Sequence, residues 1–90
     1  MKHITDLIIE ILRLEQEARI DWEKIQEASL AALAIINQEN LYSRMDSTLY
    51  QYLDDFDIRS KDSRYADRQR RAVKAILDKE FRREIPGTLY

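Results

Sequence analysis

The sequence has no cysteine and only one proline and one glycine, adjacent at Pro86 and Gly87. Without cysteine there is no disulfide framework, no thiolate metal site and no thiol nucleophile. Ahead of Pro86 no residue reaches positive φ cheaply, which argues against tight β-hairpins and for helices. No uncharged apolar run approaches the roughly 20 residues that a membrane-spanning helix needs. Asp6 and Glu10 interrupt the apolar stretch 4–14, and no small-residue cleavage site follows, so a signal peptide is not expected. These absences lead to the expectation of a cytoplasmic, reducing location away from membranes.

Charge is plentiful by contrast. Charged residues make up 36% of the chain and apolar ones 44%, against about 25% charged in an average globular domain. That balance fits a single helical domain over 1–90, with a modest core and a large solvated surface. The net charge is only −2, but residues 1–57 hold five Lys/Arg against twelve Asp/Glu, a net of −7. Residues 58–90 hold ten against five, a net of +5. This division separates an acidic front from a basic rear.

Hydrophobic spacing predicts four helices, at about 5–18, 21–37, 43–56 and 63–84. Ile4, Leu7, Ile11, Leu14 and Ala18 recur every three or four residues, with Ile8 and Leu12 widening the seam and Thr5 as candidate cap. Asp21, flanked by Ile20 and Ile25 at staple spacing, reads as a second helix start. The alternative is one long helix over 5–38, because the apolar phase runs through the joint unbroken. The uncharged stretch 29–36, Ser-Leu-Ala-Ala-Leu-Ala-Ile-Ile, predicts a segment buried on all sides with the other helices around it. Asn37 and Asn40 suit a helix end, since asparagine tolerates left-handed φ. Ser43-Arg44-Met45-Asp46 fits a capping box for the third helix, whose core face is Met45, Leu49, Tyr52, Leu53 and Phe56. Asp54, Asp55 and Asp57 oppose the helix dipole and mark that helix's end. Ser60, Asp62 or Ser63 then caps the fourth helix, which buries Ala66, Val73, Ile76, Leu77 and, at its edge, Phe81. Asp67 with Arg71, and Asp78 with Arg82, are acid-first pairs four apart. The tail 86–90 is expected to be irregular, with Leu89 and Tyr90 able to dock on the bundle. The fold expected is all-α, an antiparallel four-helix bundle.

No constellation of catalytic type emerges. His3 is the sole histidine; its spacing to Asp6 and Glu10 resembles a metal set, but a solvated terminal side chain is the plainer reading. There is no Glu-x-x-His motif for a di-iron bundle, and the Asp54–Asp57 acids lack the glycine and closing glutamate of a calcium loop. The serines, threonines and tyrosines have no placed base, and no glycine-rich loop could cradle phosphate. Glu15 and Glu17 read as ordinary acids of a helix surface. No catalytic, cofactor-binding or metal-ligating residue is assigned, and the chain is not expected to be an enzyme.

The sharpest polar feature is an arginine stripe. Arg64, Arg68, Arg71 and Arg82 lie opposite Ala66, Val73 and Leu77, with Arg70, Lys74 and Lys79 beside them. The planar guanidinium forks donate two parallel hydrogen bonds to carboxylates or phosphates, so such a stripe suits an acidic protein partner or, alternatively, a nucleic-acid backbone. A solvated face neutralised by Asp62, Asp67, Asp78 or the acidic front is the plainer reading. Tyr42, Tyr50, Tyr52 and Tyr65 fall near the junction of the third and fourth helices, and Tyr50 lies off the apolar face. Tyrosine and arginine are the types enriched at interface hot spots. The partner-binding candidates are therefore Arg64, Arg68, Arg71, Tyr50 and Tyr65. Ile9, Leu30, Ala34 and Ile35 lie off the seams, so a homodimer through the region of Leu30, Ala34 and Ile35 is expected. The functional expectation is a small regulatory or protein-binding module acting by surface occupation; the alternative is a nucleic-acid-binding accessory protein.

Overall fold

A computed structural model describes residues 2–84, with side chains over 3–79; the expected tail 86–90, and the side chains of Phe81 and Arg82, lie outside the described residues. The described residues form helices joined by turns, with no strand. They form α1 (Lys2–Leu14), α2 (Trp22–Gln38), a 3-10 turn (Tyr42–Arg44), α3 (Ser47–Asp54), α4 (Phe56–Lys61) and α5 (Ser63–Glu84). The all-α bundle stands, and α1 and α2 are separate helices, which excludes the long helix over 5–38. None of these helices is long and apolar enough to cross a membrane.

Local chemistry explains most of the boundaries. The Asp21 carboxylate accepts from the Lys24 amide at 3.2 Å, and Ile25 behind it is fully buried. At the far end of α2, Asn40 takes φ 53° and the Leu41 amide donates to the Ile36 carbonyl at 2.9 Å. This is a Schellman closure with asparagine in the left-handed position, its apolar contact supplied by buried Leu41 and Ile36. Asp62 caps α5, accepting from the amides of Arg64 and Tyr65 at 3.1 Å each.

Several expected elements are corrected. Helix α1 begins at Lys2, so Thr5 lies inside it; after Leu14 the chain tightens into i, i+3 turns (Gln16 to Arg13, Glu17 to Leu14), leaving Ala18 exposed outside the helix. The box at Ser43 does not form, because 42–44 is the 3-10 turn. Asp46 caps α3 instead, accepting from the Thr48 amide at 2.8 Å. The expected helix 43–56 stops at Asp54, and a fifth helix, α4, follows immediately.

The core gathers Ile4, Ile8, Ile11 and Leu12 of α1, Ile25, Ala32 and Ile36 of α2, Leu49, Tyr52 and Leu53 of α3, and Val73 of α5. Each fully buried isoleucine is worth about 1.5–3 kcal/mol of transfer free energy. Helix α2 packs on α1, α3 and α4, while α5 packs on α3 and α4. The stretch 29–36 does hold a central place, yet it is not buried all round. Ser29, Ala32 and Ile36 face inward, whereas Leu30 is 50% exposed and Ala31 and Ala34 are exposed with it. The bundle covers only one side of α2, so the apolar residues on the other side meet water. Ile9 of α1 is likewise exposed.

Candidate partner-binding face

The arginines divide into an inner and an outer set. The inner set is organised by Glu15, one residue beyond α1, whose side chain is fully buried. Its carboxylate accepts from the Tyr52 hydroxyl of α3 at 2.7 Å, from Arg59 Nε of α4 at 3.1 Å to each oxygen, and from Arg70 Nη1 of α5 at 2.7 Å. One acid thus ties the end of α1 to three other helices. The Glu15 charge at a helix C-terminus opposes the dipole, and the two guanidinium groups offset that repulsion.

Arg59, also fully buried, lies 3.8 Å above the Tyr52 ring centroid, a cation–π contact. Its Nη1 donates to the Tyr52 carbonyl, which the last turn of α3 leaves without an amide partner, and to Gln69 Oε1 at 2.8 Å. Its Nη2 lies 3.1 Å from Glu15 Oε2 as an ion pair, without the angle of a hydrogen bond. Gln69 passes the chain outward: its amide donates to Asp55 Oδ2 at 3.1 Å, which also accepts the Tyr65 hydroxyl at 2.5 Å. Burial pushes the Tyr52 hydroxyl far above its usual pKa, and the charge and hydrogen bond of Glu15 push it the same way. The Tyr65 hydroxyl is raised first by its bond to Asp55. Burial disfavours the Arg70 charge, but its bonds to Asp67 and Glu15 outweigh that and raise its pKa.

The outer set is Arg64, Arg68 and Arg71. All three are exposed, and none forms an ion pair among the described residues. The expected Asp67–Arg71 pair is replaced: Asp67 Oδ1 takes Arg70 Nη2 at 2.6 Å, because Arg70 is already held nearby by Glu15. Arg70, beside the stripe in the sequence pattern, therefore belongs to the interior. Beside the outer arginines a groove of about 320 Å³ runs between α3 and α5, lined by Thr48, Gln51, Tyr65, Arg68, Gln69 and Ala72.

Of the five sequence candidates, Arg68 and Tyr65 share this groove, with Arg64 and Arg71 along the same helix. Tyr50 does not join them. It is half-buried and stacks edge-on against Tyr42, ring centroids 4.8 Å apart at 87°. The tyrosine group thus separates into Tyr42–Tyr50, the buried Tyr52 and the groove-side Tyr65. The residues sequence reasoning missed are Glu15 and Arg59. Glu15 is a corrected reading: it is not a surface acid. A signal did exist, since 4, 8, 11 and 15 continue one stripe at spacings of four, three and four.

A broad cleft of about 980 Å³ lies between the end of α1 and the start of α2. Glu10, Glu17, Asp21, Glu23 and Glu27 line it, with Trp22 half-buried at its edge. Exposed Arg13 pairs there with Glu10 at 2.5 Å. Among the described residues no group of three or more His, Cys, Asp or Glu is placed to hold a metal ion. In comparison with known proteins, no family model, curated protein or solved structure matches the chain.

Proposed function

We propose that this protein is a non-enzymatic helical module that regulates or anchors a protein partner by occupying its surface through the outer face of α5. The observation that carries the reading is the contrast between the two arginine sets. Arg59 and Arg70 are bound inward by Glu15, while Arg64, Arg68 and Arg71 stand exposed along one stripe of a helix, without an ion pair among the described residues. A rigid helix presents guanidinium groups with little further loss of order on binding, and paired arginine–carboxylate forks give orientation as well as attraction. The Tyr65–Arg68 groove adds an aromatic edge beside the charges.

The test is capture of partners from the native cell, with and without nuclease, by the wild type and by Arg64→Glu/Arg68→Glu/Arg71→Glu. An acidic protein held by the wild type in nuclease and lost by the folded triple variant supports the reading. A variant that keeps every partner overturns it. Retardation of DNA or RNA, with affinity falling about 10³-fold or more between 50 and 200 mM salt, moves the assignment to nucleic acid.

A further inference from the structure

The outer faces of α2 and α5 match each other residue for residue. On α2, Glu23, Glu27, Leu30 and Ala34 form one exposed stripe at spacings of four, three and four; on α5, Arg64, Arg68, Arg71 and Ala75 form another at the same spacings. Both point away from the core side of their helix, which is Ile25, Ser29, Ala32 and Ile36 on α2 and Ala66 and Val73 on α5. Laid side by side in parallel, the stripes set Glu23 against Arg64 and Glu27 against Arg68. Leu30 then meets the aliphatic stem of Arg71, and Ala34 meets Ala75 where the backbones come closest. Among the described residues neither acid forms an ion pair. An antiparallel pairing with Glu23 set against Ala75 makes only one charge contact, Glu27 with Arg71, and one that meets both acids with arginines takes Ala34 and Ala75 out of contact.

We infer that the outer face of α2 is the docking site for the outer face of α5 of a second copy of this chain. The inference rests on the reading of the α5 stripe as a binding face and names its partner. Charge complementarity selects the occupant: the acids belong to the −7 front of the sequence and the arginines to its +5 rear. The contact also covers Leu30, a large hydrophobic side chain of α2 that is 50% exposed. Two-fold closure makes the contact twice, α2 on α5 and α5 on α2, which doubles the surface covered. Self-association then hides the arginines that a foreign partner would use, so the two bindings compete.

Sedimentation at micromolar concentrations tests this together with circular dichroism. Glu23→Arg/Glu27→Arg and Arg64→Glu/Arg68→Glu should each keep the fold and weaken self-association at least tenfold. Mixing the two variants should restore it, because every reversed charge then meets an opposite one. A second measurement is independent of charge. The chain has no cysteine, so a mixture of Ala34→Cys and Ala75→Cys proteins should form the mixed disulfide under mild oxidation, and neither protein alone should cross-link. A wild type that stays monomeric, or folded reversal variants that do not complement, overturns the inference. If in either case Arg64→Glu/Arg68→Glu still loses a captured foreign protein, the α5 binding face survives while its self-docking does not.

Discussion

Two arginine environments, one buried and one exposed, lie within the same protein and obey different physics. Inside, Arg59 and Arg70 converge on Glu15 with side chains 0% and 17% exposed, in a medium where an uncompensated charge is severely penalised. Outside, Arg64, Arg68 and Arg71 are exposed, where water and salt screen them and their removal disturbs little. The inner arginines are held for structure because nothing else can neutralise Glu15. The outer ones are left available because the fold asks nothing of them.

The comparison breaks most severely at Glu15. Glu15→Ala leaves Arg59 buried without its counter-ion, and the expected loss is about 3–5 kcal/mol of unfolding free energy, measured by urea titration. Glu15→Leu combined with Arg59→Met should recover most of that, since the pair is then replaced by apolar volume; a double variant as unstable as the single would show that packing, not charge, holds the site.

Tyr52→Phe comes next, with an expected loss of about 1–3 kcal/mol for a buried carboxylate that loses one donor. It has its own pH signature. The folded-state pKa of Tyr52 is raised above the ordinary value of 10.0, so its proton is held more tightly in the folded protein. That contribution is fully present below about pH 10 and is lost as pH rises beyond it. Wild-type stability should fall more steeply above pH 10 than that of Tyr52→Phe, as thermal melts from pH 8 to 11 will register.

A polar contact that is exposed but local sharpens the contrast from the other side. Asp21→Ala removes the cap of α2 and should cost about 1 kcal/mol by the same titration, less than Glu15 because the freed amide finds water. Smallest of all, Arg64→Glu, Arg68→Glu and Arg71→Glu should each change stability by no more than about 0.5 kcal/mol. A larger loss in any of them would mean that the outer face supports the fold after all.

Much of the local structure is legible in the sequence. The Asp21 cap, the Asn40 closure and the core face of α5 follow from short-range rules, because a cap or an apolar stripe acts within a few residues of itself. Helix α4 was not legible. Its stretch Phe-Asp-Ile-Arg-Ser-Lys buries an arginine, and hydrophobic periodicity cannot register an inward-facing charge. The candidate face was half legible. Arg64, Arg68 and Arg71 emerged as a stripe from spacing alone with Arg70 beside it, but the inward hold of Glu15 on Arg70 did not, since the two lie 55 positions apart.

By itself the sequence determined that the chain is helical, where α2 and α5 start, and that an acidic front precedes a basic rear. These are properties of composition and of neighbours along the chain. The docking of the helices decided the rest. It brought Glu15 to Tyr52, Arg59 and Arg70, residues 37, 44 and 55 positions away, and it turned Leu30 and Ala34 outward on a helix whose apolar residues were spread around its whole circumference. Which side of such a helix is covered, and which charges are buried in pairs, depends on neighbours distant in sequence, because burial is set by what packs against a surface and not by the surface alone.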